Sequence, residues 1–342
     1  MTAHMVDLKL PFIDLHRHLE GCIRLETMLD LAGAHGLKLP ADTVDTLRPH
    51  VVITGAEAGL MEFLQRLDWM IFVLVDAAAC RRVAYECVQD AAREGLDYLE
   101  LRFSPGFMAR PHRLSELDVV AAVVDGAKAG ERDFGVMTRL IGIMSRTFGP
   151  ECCAVELEAL LAHRGDIRAL DLAGDEARWP GKFFRDHFQQ GRDAGWQITV
   201  HAGEAGGAEN VRYAIEQLGA SRIGHGLRAT EDDRVLKMIR NRGIGLEINL
   251  TSNVQTSSVP GLREHPLGHF LQQEILASIN TDDPVISGID LRHEFTCAAP
   301  AAGITPPQAR RAQENALKTA FLSTSERAEL MRRVNVRTAP LA

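Results

Sequence analysis

The chain has 342 residues, of which 46% are hydrophobic and 25% charged, and no run approaches the eighteen or so apolar residues of a membrane helix; this is the composition of a globular protein, not of a fibrous, disordered or membrane-spanning one. Its 38 basic against 46 acidic residues leave a net charge of −8, which disfavours nucleic acid or an anionic membrane as partner. The six cysteines (Cys22, Cys80, Cys87, Cys152, Cys153, Cys297) show no C-x-x-C spacing, and the opening Met-Thr-Ala-His-Met has no apolar signal core, so free thiols and a cytoplasmic setting are expected.

In chain order, short apolar runs predict strands over residues 8–15, 97–103, 136–144, 167–173, 197–202, 221–225, 244–250 and 275–281. Between them, Val83-Ala84, Cys87-Val88 and Ala91-Ala92 recur at helical spacing, and Leu114, Leu117, Val120, Ala121 and Val124 mark a second helical stripe. Alternating strand and helix implies parallel strands with crossover helices, and eight such units close into a (β/α)8 TIM barrel of the α/β class. Residues 24–94 are too long for one crossover and are expected to add helices over the C-terminal face. Residues 306–333, opening with Pro306-Pro307, are expected to add helix at the end. With no linker or fixed-period repeat to cut at, residues 1–342 read as a single domain.

Polar clusters fall where these strands stop: His16-Arg17-His18, Gly174-Asp175, His201-Ala202-Gly203-Glu204, Ile223-Gly224-His225-Gly226 and Asn280-Thr281-Asp282-Asp283. In a barrel of this kind the loops after the strands converge on one mouth. Alternate residues of a strand point the same way, so His16 and His18 can face that mouth together. Each cluster alone is weak: H-x-H is more often an exposed pair, and D-D-P is a common turn. Together they offer His16, His18, His201 and Asp282, a three-nitrogen, one-oxygen set that suits Zn²⁺ with water completing the coordination. Strand 4 ends Leu170-Asp171-Leu172-Ala173-Gly174 without a lysine, which favours one metal over two. Glu204, three residues past His201, is placed as general acid, and His225 within reach of the activated water. The remaining histidines (His4, His35, His50, His112, His163, His187, His265, His269 and His293) receive no role.

With these motifs, Leu15-His16-Arg17-His18-Leu19, Glu100 to Gly106, Ile141 to Arg146 and Leu170 to Glu176, the chain resembles the adenosine deaminases among the amidohydrolase-type barrels, over nearly its whole length and most in their bacterial branch. The resemblance implies that His16, His18, His201 and Asp282 hold one zinc ion and that hydroxide adds to purine C6. It also implies that Glu204 protonates N1, His225 steadies the hydroxide, Asp283 contacts N7 and the Gly174 backbone contacts N3. Adenosine, and with it 2′-deoxyadenosine, would become the 6-oxo purine nucleoside and ammonia, a step of purine salvage. The thiolate-based zinc deaminase signature is absent.

Two positions depart from the family's pattern. Glu20 stands where adenosine deaminases usually carry an Asp implied to bind the ribose 5′-hydroxyl, and Glu is common there in adenine deaminases. Glu20 is expected still to serve ribose, with adenine deamination as the alternative. Asn249 stands where relatives commonly have Cys. A helix through Leu60, Met61, Phe63, Leu64, Leu67, Trp69 and Met70 is expected to cap the ribose side, with Leu60, Phe63, Leu64 and Leu67 as pocket wall. Four carboxylates near one metal (Glu20, Glu204, Asp282, Asp283) favour a small-molecule purine nucleoside or base over a nucleotide unless Arg17 or Arg146 turns inward. A metal-dependent amide or ester hydrolase on the same barrel is the second class of function. A catalytically silent ligand-binding relative is a third.

Overall fold

A computed structural model describes residues 4–55 and 59–338. Eight parallel strands follow one another around the sheet in sequence order: β1 (Ile13–His18), β2 (Tyr98–Phe103), β3 (Met137–Ser145), β4 (Ile167–Ala173), β5 (Gln197–Ala202), β6 (Arg222–His225), β7 (Gly245–Ile248) and β8 (Leu276–Ile279). This is the (β/α)8 barrel expected from the alternation of apolar runs and helical stripes. No helix among the described residues is long and apolar enough to cross a membrane.

β1 is displaced from its expected range of 8–15. Residues 8–10 form a turn, Leu8 is exposed, and Pro11 offers no amide hydrogen to a ladder. The strand instead runs through the polar His16-Arg17-His18, whose register is set by pairing with β2. β7 stops at Ile248, because Leu250 already begins a helix (Leu250–Gln255).

The first and last strands meet differently from the rest. Every other neighbouring pair shares a ladder, whereas β1 reaches the end of β8 through a single bridge between Arg17 and Asp282. Two backbone bonds make that bridge, His18 N to Asp282 O and Asp282 N to His16 O, both 2.8 Å. Side chains extend the seam: Thr281 donates to Asp14 (2.6 Å), and Leu15 N donates to Asn280 Oδ1 (3.0 Å).

Strand alternation sorts the sheet's residues. Leu99, Leu101 and Phe103 of β2 belong to the apolar layer under the helices, while Glu100 and Arg102 join the interior. Asp171, Thr199, Arg222 and Glu247 enter the same interior from β4, β5, β6 and β7. Barrel interiors are usually filled by branched apolar side chains; here one layer is an ion-paired network.

Between β1 and β2 lie α1 (Leu25–His35), α2 (Val44–Val51), α3 (Leu60–Ile71) and α4 (Ala77–Glu94). Of these, α4 is the crossover, packed along the helix Glu116–Phe134, and α3 lies over the strand ends. The helix Pro306–Thr319 packs on β8 and β1, its first turn fixed by Pro306 and by Gln308 accepting from Thr305 N; Thr324–Thr338 follows.

Candidate active site

Four donor atoms converge at the C-terminal mouth of the barrel. His18 Nε2 lies 3.3 Å from His16 Nε2 and 3.2 Å from His201 Nε2, and Asp282 Oδ1 lies 3.1 Å from His16 Nε2 and 3.3 Å from His18 Nε2. All four ligand atoms fall within 4.8 Å of one another. Gly224 makes this approach possible, since a Cβ there would stand 3.0 Å from His16 Cε1 and 3.3 Å from His201.

Three of the four donors are oriented from behind. Glu247 Oε2 takes the other ring nitrogen of His16 (2.7 Å), and Asp171 takes that of His201 (3.0 Å), so both Nε2 lone pairs are left facing the cluster. Ser252 Oγ donates to Asp282 Oδ2 (2.6 Å), leaving Oδ1 to the cluster. Arg102 joins the two carboxylates, donating to Asp171 (2.8 Å) and Glu247 (2.7 Å). Arg222 links Glu247 (2.7 Å) to Glu100. Although burial opposes ionisation, the imidazoles of His16 and His18 hold Asp282 well below the usual carboxylate range. Burial holds His18 down at about 3 and lowers His201, so both imidazoles stay neutral, the form that offers a lone pair.

His225 and Asp282 are both non-glycine residues with positive φ, 62° and 67°. His and Asp are among the few residue types that adopt this region readily. In β6 the turn brings His225 into the mouth beside Gly224, although alternation would send it outward. His225 Nε2 lies 3.6 Å from Glu204 Oε2 and 3.9 Å from Asp282 Oδ2. The Glu204 loop is moulded on Glu176, whose carboxylate accepts from the amides of Gly203, Glu204, Ala205 and Gly206 and from Asn210 Nδ2.

Three carboxyls around the cluster are perturbed upward. Burial, reinforced by the charges of Asp282 and Glu176, pushes Glu204 up to about 8. Burial, with Asp282, Glu20 and Glu204 nearby, raises Asp283 well above its ordinary range, and burial alone pushes Glu20 up to about 7. Glu20 Oε1 accepts from Ser104 N (2.7 Å). Glu20 Oε2, Glu204 Oε1 and Asp283 Oδ1 have no hydrogen-bond partner among the described residues.

A cavity of about 450 Å³ opens beside the cluster, with His18, Glu20, Ser104 and Gly174 on one side and Leu64 and Leu67 on the other. Gly174 fits there because its φ is 107° and a Cβ would fall 2.3 Å from Thr147 Oγ1. Two of the expected wall residues are not there. α3 is amphipathic: Met61, Leu64, Gln65 and Asp68 face the cavity, whereas Phe63 packs into the core and Leu60 does not line the space. Neither candidate arginine faces the cavity, as Arg17 is held by Asp14 and Glu94, and Arg146 donates to the carbonyls of Leu172 and His201.

The adenosine deaminase family model matches residues 11–337. The chain belongs to the adenosine deaminase family. It is 57% identical over 330 residues to an adenosine deaminase of Serratia proteamaculans, a match covering 96% of this chain and 99% of that one, and 55% identical with the same coverage to one of Salmonella typhimurium. Among solved structures, an adenine deaminase of Arthrobacter aurescens superposes with a TM-score of 0.88 at 26% identity, covering 96% of this chain and 99% of that one. A zinc-bound amidohydrolase of Burkholderia at 22% identity shares the fold, with a TM-score of 0.85.

Within this adenosine deaminase barrel the residues expected from sequence to bind metal or substrate or to act in catalysis, Phe63 and Leu60 apart, gather at one mouth. Sequence reasoning passed over those that orient them. Asp171 and Glu247 left a signal, a lone carboxylate in an otherwise apolar strand (Leu170-Asp171-Leu172, Leu246-Glu247-Ile248). Glu176, Ser252, Asn253 and His265 left none, because their roles arise from loops and the short helix Leu250–Gln255 folding back on the mouth.

Proposed function

We propose that this protein is a hydrolytic deaminase converting adenosine, and 2′-deoxyadenosine with it, to the 6-oxo nucleoside and ammonia with one Zn²⁺ per chain. The single observation that carries the reading is the cluster of His16, His18, His201 and Asp282 beside a buried carboxyl, Glu204, that is raised to about 8. The donor set fits zinc: three imidazole nitrogens and one carboxylate oxygen, each able to offer a lone pair, lie within 4.8 Å of one another and could hold a single ion. Zn²⁺ held by these four residues supplies Lewis acidity that makes water nucleophilic near neutral pH.

The chain's own groups do the rest. Glu204, protonated near neutral pH, donates to purine N1 and so makes C6 electrophilic. Asp283, held neutral among three other carboxyls, donates to N7, and Gly174 N meets N3 at the cavity edge. His225 orients the attacking oxygen between Glu204 and Asp282. The 6-amino group leaves as ammonia once it takes a proton. Glu20, with one oxygen anchored on Ser104 N and the other unpartnered, receives the ribose 5′-hydroxyl. Arg17 and Arg146 are engaged elsewhere and Arg110 lines the cavity, stacked on Phe148; the carboxyls of Glu20, Glu204, Asp282 and Asp283 gathered at the mouth favour a nucleoside over a nucleotide.

A second reading is deamination of free adenine, which Glu20 favours because the resemblance puts Glu at this position in adenine deaminases; an adenine deaminase of Arthrobacter aurescens also shares the fold. Turnover of adenosine and adenine, followed side by side by loss of the adenine chromophore, separates the two. Faster adenosine turnover is expected, and Glu20→Ala should lose more activity on adenosine than on adenine. Equal losses would remove Glu20 from the ribose subsite, and activity on neither substrate would turn attention to amide hydrolysis.

A further inference from the structure

Behind His225 runs a chain of hydrogen bonds whose direction is fixed by its far end. Leu267 N donates to His265 Nδ1 (3.1 Å), and a backbone N–H can only donate. His265 is buried, and burial keeps it neutral, its pKa lowered to about 3, so the proton of its ring sits on Nε2. That Nε2 faces an oxygen of Asn253 (3.1 Å), which must therefore be the carbonyl Oδ1. The same side chain then turns its NH₂ to His225 Nδ1 (2.8 Å), and Asn249 Nδ2 approaches that nitrogen from a second side (3.3 Å). With Nδ1 accepting, the His225 proton is placed on Nε2, the atom that faces Glu204 and Asp282.

We propose that His265 and Asn253 are positioning residues that fix the Nε2–H tautomer of His225, so that His225 presents a hydrogen-bond donor to the attacking oxygen and has no free nitrogen with which to act as a base. The proposal rests on the deaminase reading of the mouth. It adds a relay built from a loop residue, His265, and from a residue of the Leu250–Gln255 helix. A neutral imidazole beside neither partner would populate both tautomers, and only one of them is useful here.

The test is long-range ¹H–¹⁵N NMR of the histidine rings in the zinc-loaded, substrate-free protein, together with kcat and KM on adenosine. Wild type should show unprotonated Nδ1 and protonated Nε2 in both His225 and His265. Asn253→Asp presents an acceptor to His225 in place of the amide and should move the proton to Nδ1, with kcat reduced about 10²-fold and KM changed far less. A folded Asn253→Asp protein with the wild-type tautomer, or with wild-type kcat, would overturn the proposal. Should that variant fail to fold, His265→Gln and His265→Leu decide. Gln can accept from Leu267 N and donate to Asn253, so the Nε2–H form should persist with Gln and be lost with Leu; equal spectra for the two overturn the relay. An Nδ1–H His225 in a wild-type enzyme that turns over adenosine would also sink the relay but leave the deaminase reading intact. An Nε2–H His225 in an enzyme inert toward adenosine would do the reverse.

Discussion

Below the ligand cluster, Arg102, Asp171, Arg222, Glu100 and Glu247 are fully buried, and each charge meets an opposite one at hydrogen-bond distance. Around and above the cluster, Glu20, Glu204 and Asp283 are almost as deeply buried, yet each keeps an oxygen with no partner among the described residues. Buried ion networks seldom add much stability over an apolar core of the same volume. What the floor gains is fixed geometry: two imidazoles whose lone pairs cannot turn away. The rim gives up hydrogen bonds instead, at a cost on the order of 1–3 kcal/mol for each buried group left unsatisfied. Raised pKa values lower that cost by favouring the neutral carboxyls, and in the proposed reading a purine nucleoside would supply the missing partners.

The strongest way to break this contrast is at Glu204. Glu204→Gln keeps the shape and removes the transferable proton, so kcat on adenosine should fall about 10²–10⁴-fold while calorimetric affinity for inosine stays close to wild type. Wild-type turnover by this variant would detach the rim from the chemistry.

The floor is probed by Glu247→Gln, which weakens the acceptor for His16 and leaves Arg102 and Arg222 short of a counter-charge. Zinc affinity, measured by competition with a chelator, should drop about 10–100-fold. Equal affinity in a folded variant would mean that the network packs the barrel without orienting its ligands.

The smallest effect is expected at the lid. Leu64→Ala removes apolar wall far from the proton transfers, and KM for adenosine should rise about 5–10-fold with kcat nearly unchanged. A drop in kcat of the same size would show that α3 helps to place the purine as well as to cover it.

Much of this architecture can be read from residue order. The strands announce themselves by short apolar runs, and the ligand residues by their chemical type at the strand ends. Shifts arose where local pattern and pairing conflict: Leu8 to Leu10 is apolar enough for a strand, but Pro11 and the β2 partner start the ladder at Ile13. On α3 the apolar residues serve two surfaces, and sequence cannot tell the cavity-facing Leu64 from the core-facing Phe63. Least legible were Glu176, Asn253 and His265, whose partners are loop amides or side chains brought close only by the closed fold.

The seam between β1 and β8 gives the mouth a further property. The backbone atoms of His16, His18 and Asp282 stitch the first strand to the last, while their side chains supply three of the four donors. A chain still emerging from the ribosome therefore holds two of the proposed ligands at its beginning and waits for Asp282, near its end, to complete the set. An ion gripped by all four, as proposed, would work as a clasp across the closing edge of the barrel, so chelation should loosen the join between the two ends of the chain as well as silence the catalyst.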